Sequence, residues 1–235
     1  MALTGDMTDA KGPRDDRWYL SLMSPNTKGP KFAWLDPTSI YINAAAFSDL
    51  LDDLIADLKG VEFDVVGGCD AMGFVLGAGL AARCGKGFLP VRKAGKLCVD
   101  TDRVSFTNYS GKTQDMEMRQ PAFARGTRVL LADQWIQTGG TMEAAIQLVE
   151  RQGGTVAGLV TIAMENCEAT DAFAARFPVV TAVVRQPLAG RMQLAGPDEL
   201  PQLPRRAHLP DGGAHGRVRP GAGETSRCSR PRTRS

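Results

Sequence analysis

Between residues 61 and 185 the chain alternates short, almost unbroken apolar runs with stretches of helical period, and this pattern restricts the fold more than any other feature. The runs are "EFDVVGG", "GFLPVRK", "TRVLLAD", "TVAGLVTIAM" and "VVTAVVR". A strand apolar at successive positions presents apolar side chains to both faces of its sheet, so both faces must be covered. The intervening segments "GFVLGAGLAARCG", "TMEAAIQLVERQ" and "EATDAFAARF" have the spacing of the helices that would cover them. The expected architecture is therefore α/β, a parallel sheet flanked by helices on both faces. Ahead of it, Phe47, Leu50, Leu51, Leu54, Ile55 and Leu58 follow helical spacing, with Asn43 as N-cap and Gly60 as stop. "RVSFTNYSGKTQDMEMRQ" alternates apolar and polar residues around a Ser-Gly turn, which predicts a β-hairpin reaching out from the body.

The two ends differ from this body. The first thirty residues are mostly polar and irregular, and they lack the apolar core of a signal peptide. The segment 201–235 is rich in Arg, Pro and Gly and too poor in large apolar residues to offset its ordering entropy, which predicts a disordered tail. The expected organisation is thus an irregular segment 1–30, an α/β domain 31–200 and a tail 201–235. The formal charge of +2 is unevenly spread: residues 205–235 carry +6, which leaves the rest at −4. A mildly acidic body does not predict nucleic-acid binding, and no apolar run approaches the ~20 residues of a membrane span.

Five cysteines (69, 84, 98, 167, 228) are scattered singly, which argues for reduced thiols in a cytoplasmic protein. Both histidines, His208 and His215, lie in the tail. A body without histidine has no Ser-His-Asp or Cys-His nucleophile and no His-based metal site. Its chemistry must rest on carboxylates, cations, backbone groups or a bound ion.

In sheets of this kind, ligands sit beyond the carboxyl ends of the strands. Three strand-to-helix loops, at 67–73, 92–98 and 133–141, are expected to converge there. The third is the most informative. Thr138, Gly139, Gly140 and Thr141 follow a strand and open a helix, so successive peptide N–H groups and two hydroxyls face an incoming anion. That is a phosphate cradle. Asp133 at the strand end suits ribose hydroxyls or a water-held magnesium ion. The second "GGT", at 153–155, follows a helix and precedes a strand, so it should face the opposite end of the sheet. "SGKT" at 110–113 is no P-loop, because Phe106 stands where the first glycine would be needed.

Taken in order, "WLDPTSIYINAAAF", "GGCDAMGFVLGAGLA", "VRKAGKL" and "ADQWIQTGGTMEAA" resemble type I phosphoribosyltransferases, nearest to those acting on adenine. The resemblance runs from about Trp34 to Arg185. It implies a small N-terminal hood, a protruding β-hairpin lid and transfer of a phosphoribosyl group from phosphoribosyl pyrophosphate to a purine base, with Mg²⁺, in a cytoplasmic homodimer serving purine salvage. By the same resemblance Gln137, Thr138, Gly139, Gly140 and Thr141 hold the 5′-phosphate. Asp133 serves ribose and metal, and is the residue nearest to catalysis. Asp70, Arg92 and Lys96 attend the pyrophosphate, Asn108 and Tyr109 belong to the lid, and the base stacks near Trp34–Asp36. Four positions depart from the family pattern. Gln134 replaces the second acid of a pair, Met72 and Leu35 replace arginines, and Asn108 replaces the lid glutamate. They leave a second reading open, a catalytically weakened protein that binds phosphoribosyl pyrophosphate or a nucleotide for regulation.

Overall fold

The computed structural model describes residues 17–25, 27–28, 35–107 and 113–185. Trp34, the lid residues Asn108 and Tyr109, most of 1–30 and the tail lie outside the described residues. Seven strands form one sheet in the order β5-β6-β4-β3-β7-β8-β9. They are β3 (Val65–Cys69), β4 (Gly87–Lys93), β5 (Thr101–Thr107), β6 (Thr113–Arg119), β7 (Arg128–Ile136), β8 (Thr155–Glu165) and β9 (Val179–Arg185). Strands β3, β4, β7, β8 and β9 run parallel. A two-stranded piece, β1 (Ser24–Pro25) with β2 (Leu35–Asp36), stands apart.

Helices α1 (Thr38–Ile42), α2 (Ala44–Asp57), α3 (Met72–Arg83), α4 (Gly140–Arg151) and α5 (Glu168–Arg176) complete the fold. The period of two in β7 divides its apolar residues between two cores. Leu130 and Ala132 join Val160, Ile162, Leu50, Leu54, Leu76 and Leu80 from α2 and α3. Val129 and Leu131 join Leu159, Met142, Ile146, Val149 and Phe173 from α4 and α5. Helices on both faces, as the sequence predicts, follow from that division. Asn43 caps α2, its side-chain oxygen accepting from Ala46 N at 3.0 Å.

Two differences from the sequence expectation matter. First, the sheet is mixed: β6 runs antiparallel to β4 and pairs with it only at Arg92↔Glu117 and Lys93↔Met116. Second, the described strands of the hairpin do not reach out. Strand β5 lies along α4, because its alternation turns Val104 and Phe106 into the α4 core. At one end of α4, Arg151 pairs with Asp102 at 2.8 Å and donates to the Arg103 carbonyl at 2.9 Å. At the other, a Cβ on Gly140 would lie 2.5 Å from the Thr107 carbonyl oxygen. Thr107 therefore delivers the chain to the start of α4. Near the amino end, Trp18–Leu22 form a 3₁₀ helix that buries Tyr19 completely. The aromatic pair in "WYLSLM" was the signal for that packing within an otherwise polar start.

Candidate functional site: a cleft at the carboxyl end of the sheet

The loop between β7 and α4 lines a cleft of about 190 Å³ formed by Asp133, Trp135–Thr141 and Met142. Gly139 stands before the helix at φ 78°, a left-handed conformation that glycine adopts without penalty. No side chain caps α4, and its first internal bond runs from Glu143 N to the Gly139 carbonyl. The first peptide N–H groups of a helix have no partner within the helix, and here they stand among the residues that line the cleft, with Thr138 exposed beside them. Glu143 in the first turn would weaken this positive end, but Arg176 pairs with it at 2.8 Å. The arrangement suits an anion. The other "GGT" opens β8 beside Arg128, at the far end of the sheet, as its position in sequence predicts.

Asp133 does not end its strand: β7 continues to Ile136, pairing with β8 as far as Met164. Its Oδ1 accepts from Gln134 N at 2.7 Å. Burial pushes its pKa up from 3.8 to about 7, against the pull of the Gln134 and Trp135 N–H groups and the Lys93 charge. Gln134, on the neighbouring position, keeps its side-chain oxygen buried with no hydrogen-bond partner among the described residues.

The other two loops do converge on this point. At the start of α3 a Cβ on Gly73 would lie 2.7 Å from the Ala132 carbonyl and 3.3 Å from Asp133 Oδ1. Only glycine lets the helix approach the carboxylate so closely. Asp70, whose peptide to Ala71 is cis, holds Arg92 Nε at 3.5 Å and accepts from Lys93 N at 3.4 Å. Arg92 also donates to the Lys96 carbonyl at 3.3 Å and lies 5.8 Å from the Phe74 ring centre. Lys96 donates its peptide N–H to Glu117 at 2.7 Å, and its side chain is exposed. The cation that acts on Asp133 is Lys93. Met72 opens α3 and is 36% exposed.

Two contributors escaped the sequence reading. Glu117 is completely buried and accepts from both Lys96 N and Leu97 N, so it shapes the basic loop from beneath. Burial alone would raise its pKa; the N–H groups of Gly95, Leu97 and Lys96 and the Arg103 charge hold it below the usual range. Its signal was an acid between Met116 and Met118 in a strand whose burial runs over three consecutive residues. Lys93, exposed at the end of β4, was hidden among three closely spaced cations, where spacing does not say which one has its charge near Asp133. Among the described residues no group of three His, Cys, Asp or Glu could hold a metal ion, and no helix is long and apolar enough to cross a membrane.

Residues 38–177 match the family model described as "Phosphoribosyl transferase domain". The chain is 41% identical over 135 residues to adenine phosphoribosyltransferase of Thermobifida fusca, which spans 57% of this chain and 76% of that one. Its fold is similar to that of adenine phosphoribosyltransferase from Rhodothermus marinus, with a TM-score of 0.64 at 32% identity over 71% of this chain and 98% of that one. The Saccharomyces cerevisiae enzyme, solved with an imino-altritol bisphosphate and adenine, gives a TM-score of 0.61 at 28% identity, with coverage of 71% and 98%. The matched span contains α3, the basic end of β4, Asp133 and the helix-start cradle, so the chain belongs to the phosphoribosyltransferase family.

Proposed function

We propose that the protein is an adenine phosphoribosyltransferase, forming AMP and pyrophosphate from adenine and phosphoribosyl pyrophosphate in purine salvage. The observation that carries this reading is the helix-start cradle at Thr138–Thr141 standing beside the Asp133 carboxylate, with Arg92 and Lys93 at the end of β4, across β3 from Asp133. The cradle would take the 5′-phosphate through peptide N–H groups and hydroxyls. Asp133 would accept from the ribose hydroxyls, and the two cations would neutralise the departing pyrophosphate.

Such a transfer breaks the bond from C1 to pyrophosphate as the base nitrogen closes on C1. The transition state combines a cationic sugar with a leaving polyanion. Positioning and electrostatic stabilisation supply the rate, and no histidine is needed. Mg²⁺ fits as an ion carried in by the substrate phosphates, because it binds proteins through one or two carboxylates and keeps several waters. Asp133 offers one such carboxylate. Bound there, the ion would offset pyrophosphate charge. The segment Asn108–Tyr109 would close over the substrates, a reading supported by Thr107 ending against Gly140. The exposed Met72 and Val75 on α3 support packing of a second copy into a homodimer, and scattered single cysteines support a cytoplasmic setting.

The binding-only reading is the less favoured, since the relatives that the chain matches are named as enzymes. The test follows pyrophosphate release with Mg²⁺, phosphoribosyl pyrophosphate and one base at a time. Release with adenine is expected. Release with hypoxanthine, guanine or xanthine but not adenine overturns the base assignment, and silence with all four overturns the enzyme.

A further inference from the structure

Glu117 lies within β6 with its side chain wholly shut from solvent, although it is an acid. A buried carboxylate is costly unless hydrogen bonds and a counter-charge complete it. One oxygen, Oε1, accepts from Lys96 N at 2.7 Å and from Leu97 N at 2.8 Å. The other, Oε2, lies 3.3 Å from the Arg103 guanidinium and accepts from Thr101 Oγ1 at 3.5 Å, both on β5. The carboxylate therefore ties the loop after β4 to the hairpin strand. Lys96 is held on two sides. Glu117 takes its peptide N–H, and its carbonyl oxygen accepts from Arg92 Nη1 at 3.3 Å. Arg92 stands opposite Glu117 in the β4–β6 register, and its Nε lies 3.5 Å from Asp70 Oδ2. Its guanidinium is thus braced between Asp70 and a carbonyl whose place depends on Glu117. A long, rotamer-rich side chain binds an anion best when its direction is set beforehand.

We propose that Glu117 is a positioning residue of the pyrophosphate subsite: by pinning the Lys96 peptide it presents the carbonyl that orients the Arg92 guanidinium. The proposal rests on the reading of Arg92 as a pyrophosphate ligand. The test is a double-mutant cycle over Glu117→Ala and Arg92→Ala, with Glu117→Gln and Glu117→Asp beside it. Magnesium pyrophosphate and, separately, ribose 5-phosphate are titrated calorimetrically into each protein. Loss of a charge-assisted contact in Arg92→Ala should weaken pyrophosphate about 10- to 100-fold. Glu117→Ala should weaken it about 5- to 50-fold, but less than about twofold further in the Arg92→Ala background. Glu117→Gln keeps an acceptor for the two peptide N–H groups and should stay within about threefold of wild type. Glu117→Asp draws the carboxylate back by one methylene and should weaken binding, and it replaces Glu117→Ala in the cycle if that variant does not fold. Ribose 5-phosphate, held at the start of α4, should bind every variant as it binds wild type.

Pyrophosphate affinity unchanged in the Glu117 variants, with the loss in Arg92→Ala intact, overturns the positioning role alone. Losses that multiply in the double variant overturn it too, as does a parallel loss of ribose 5-phosphate, since both mark a general disturbance of the fold. An Arg92→Ala protein that binds pyrophosphate like wild type overturns the reading of Arg92 and this proposal with it. Coupled losses in a protein that releases no pyrophosphate from any base would sustain the positioning role and refute the enzyme.

Discussion

Replacing Asp133 by Asn should make the free protein more stable at alkaline pH while damaging its site. The carboxyl has a folded pKa of about 7 against an ordinary value of 3.8. Between those values the folded state binds more protons than the unfolded state, so stability falls as pH rises from about 4 to about 7 and stays low above. A gap of roughly 3 units at about 1.4 kcal/mol each gives about 4 kcal/mol. The carboxylate is partly open to the cleft, where water offsets some of the burial, so about 2–4 kcal/mol is the reasonable range. Asparagine keeps the shape and the acceptor for Gln134 N but never ionises. Urea unfolding of both proteins should therefore show near-equal stability at pH 4 and an advantage for Asp133→Asn of that size at pH 8.5. Ligand titrations should show the reverse order, with phosphoribosyl pyrophosphate weakened in the variant. A stability difference that ignores pH, or a variant less stable at pH 8.5, would refute the burial argument.

Gly140→Ala places a carbon 2.5 Å from the Thr107 carbonyl oxygen and 3.2 Å from the Phe106 ring. Overpacking of about 1–3 kcal/mol outweighs a helix-propensity gain of about 1 kcal/mol. Denaturant unfolding should show a loss near 1 kcal/mol, and ribose 5-phosphate should bind more weakly; unchanged values would mean the hairpin is not seated on α4. Asn43→Ala removes the cap of α2, no residue of which lines the cleft, and should cost about 1 kcal/mol in thermal unfolding. Ligand affinity should stay at the wild-type value there, which a long-range link between α2 and the site would contradict.

The placement of the cleft loop was legible in the sequence. Position alone separated the "GGT" after β7, which lines the cleft, from its copy at 153–155, because a loop's place between strand and helix fixes which end of the sheet it faces. Asn43 was legible for the same reason, since capping is a local contest between one side chain and three peptide N–H groups.

What the sequence by itself determined is the layered α/β architecture and the glycine-led helix start beside the cleft, since strand burial, helix period and glycine loops are short-range properties. Only the tertiary structure decided the electrostatics. That the charge of Lys93 reaches Asp133 and that Glu117 anchors the basic loop from beneath both depend on contacts across long separations. So does the seating of β5 on α4. Side-chain direction at a strand end depends on which neighbours fill each face, and the pKa of Asp133 depends on how much of the protein surrounds it. Neither is written in the local spacing of residues.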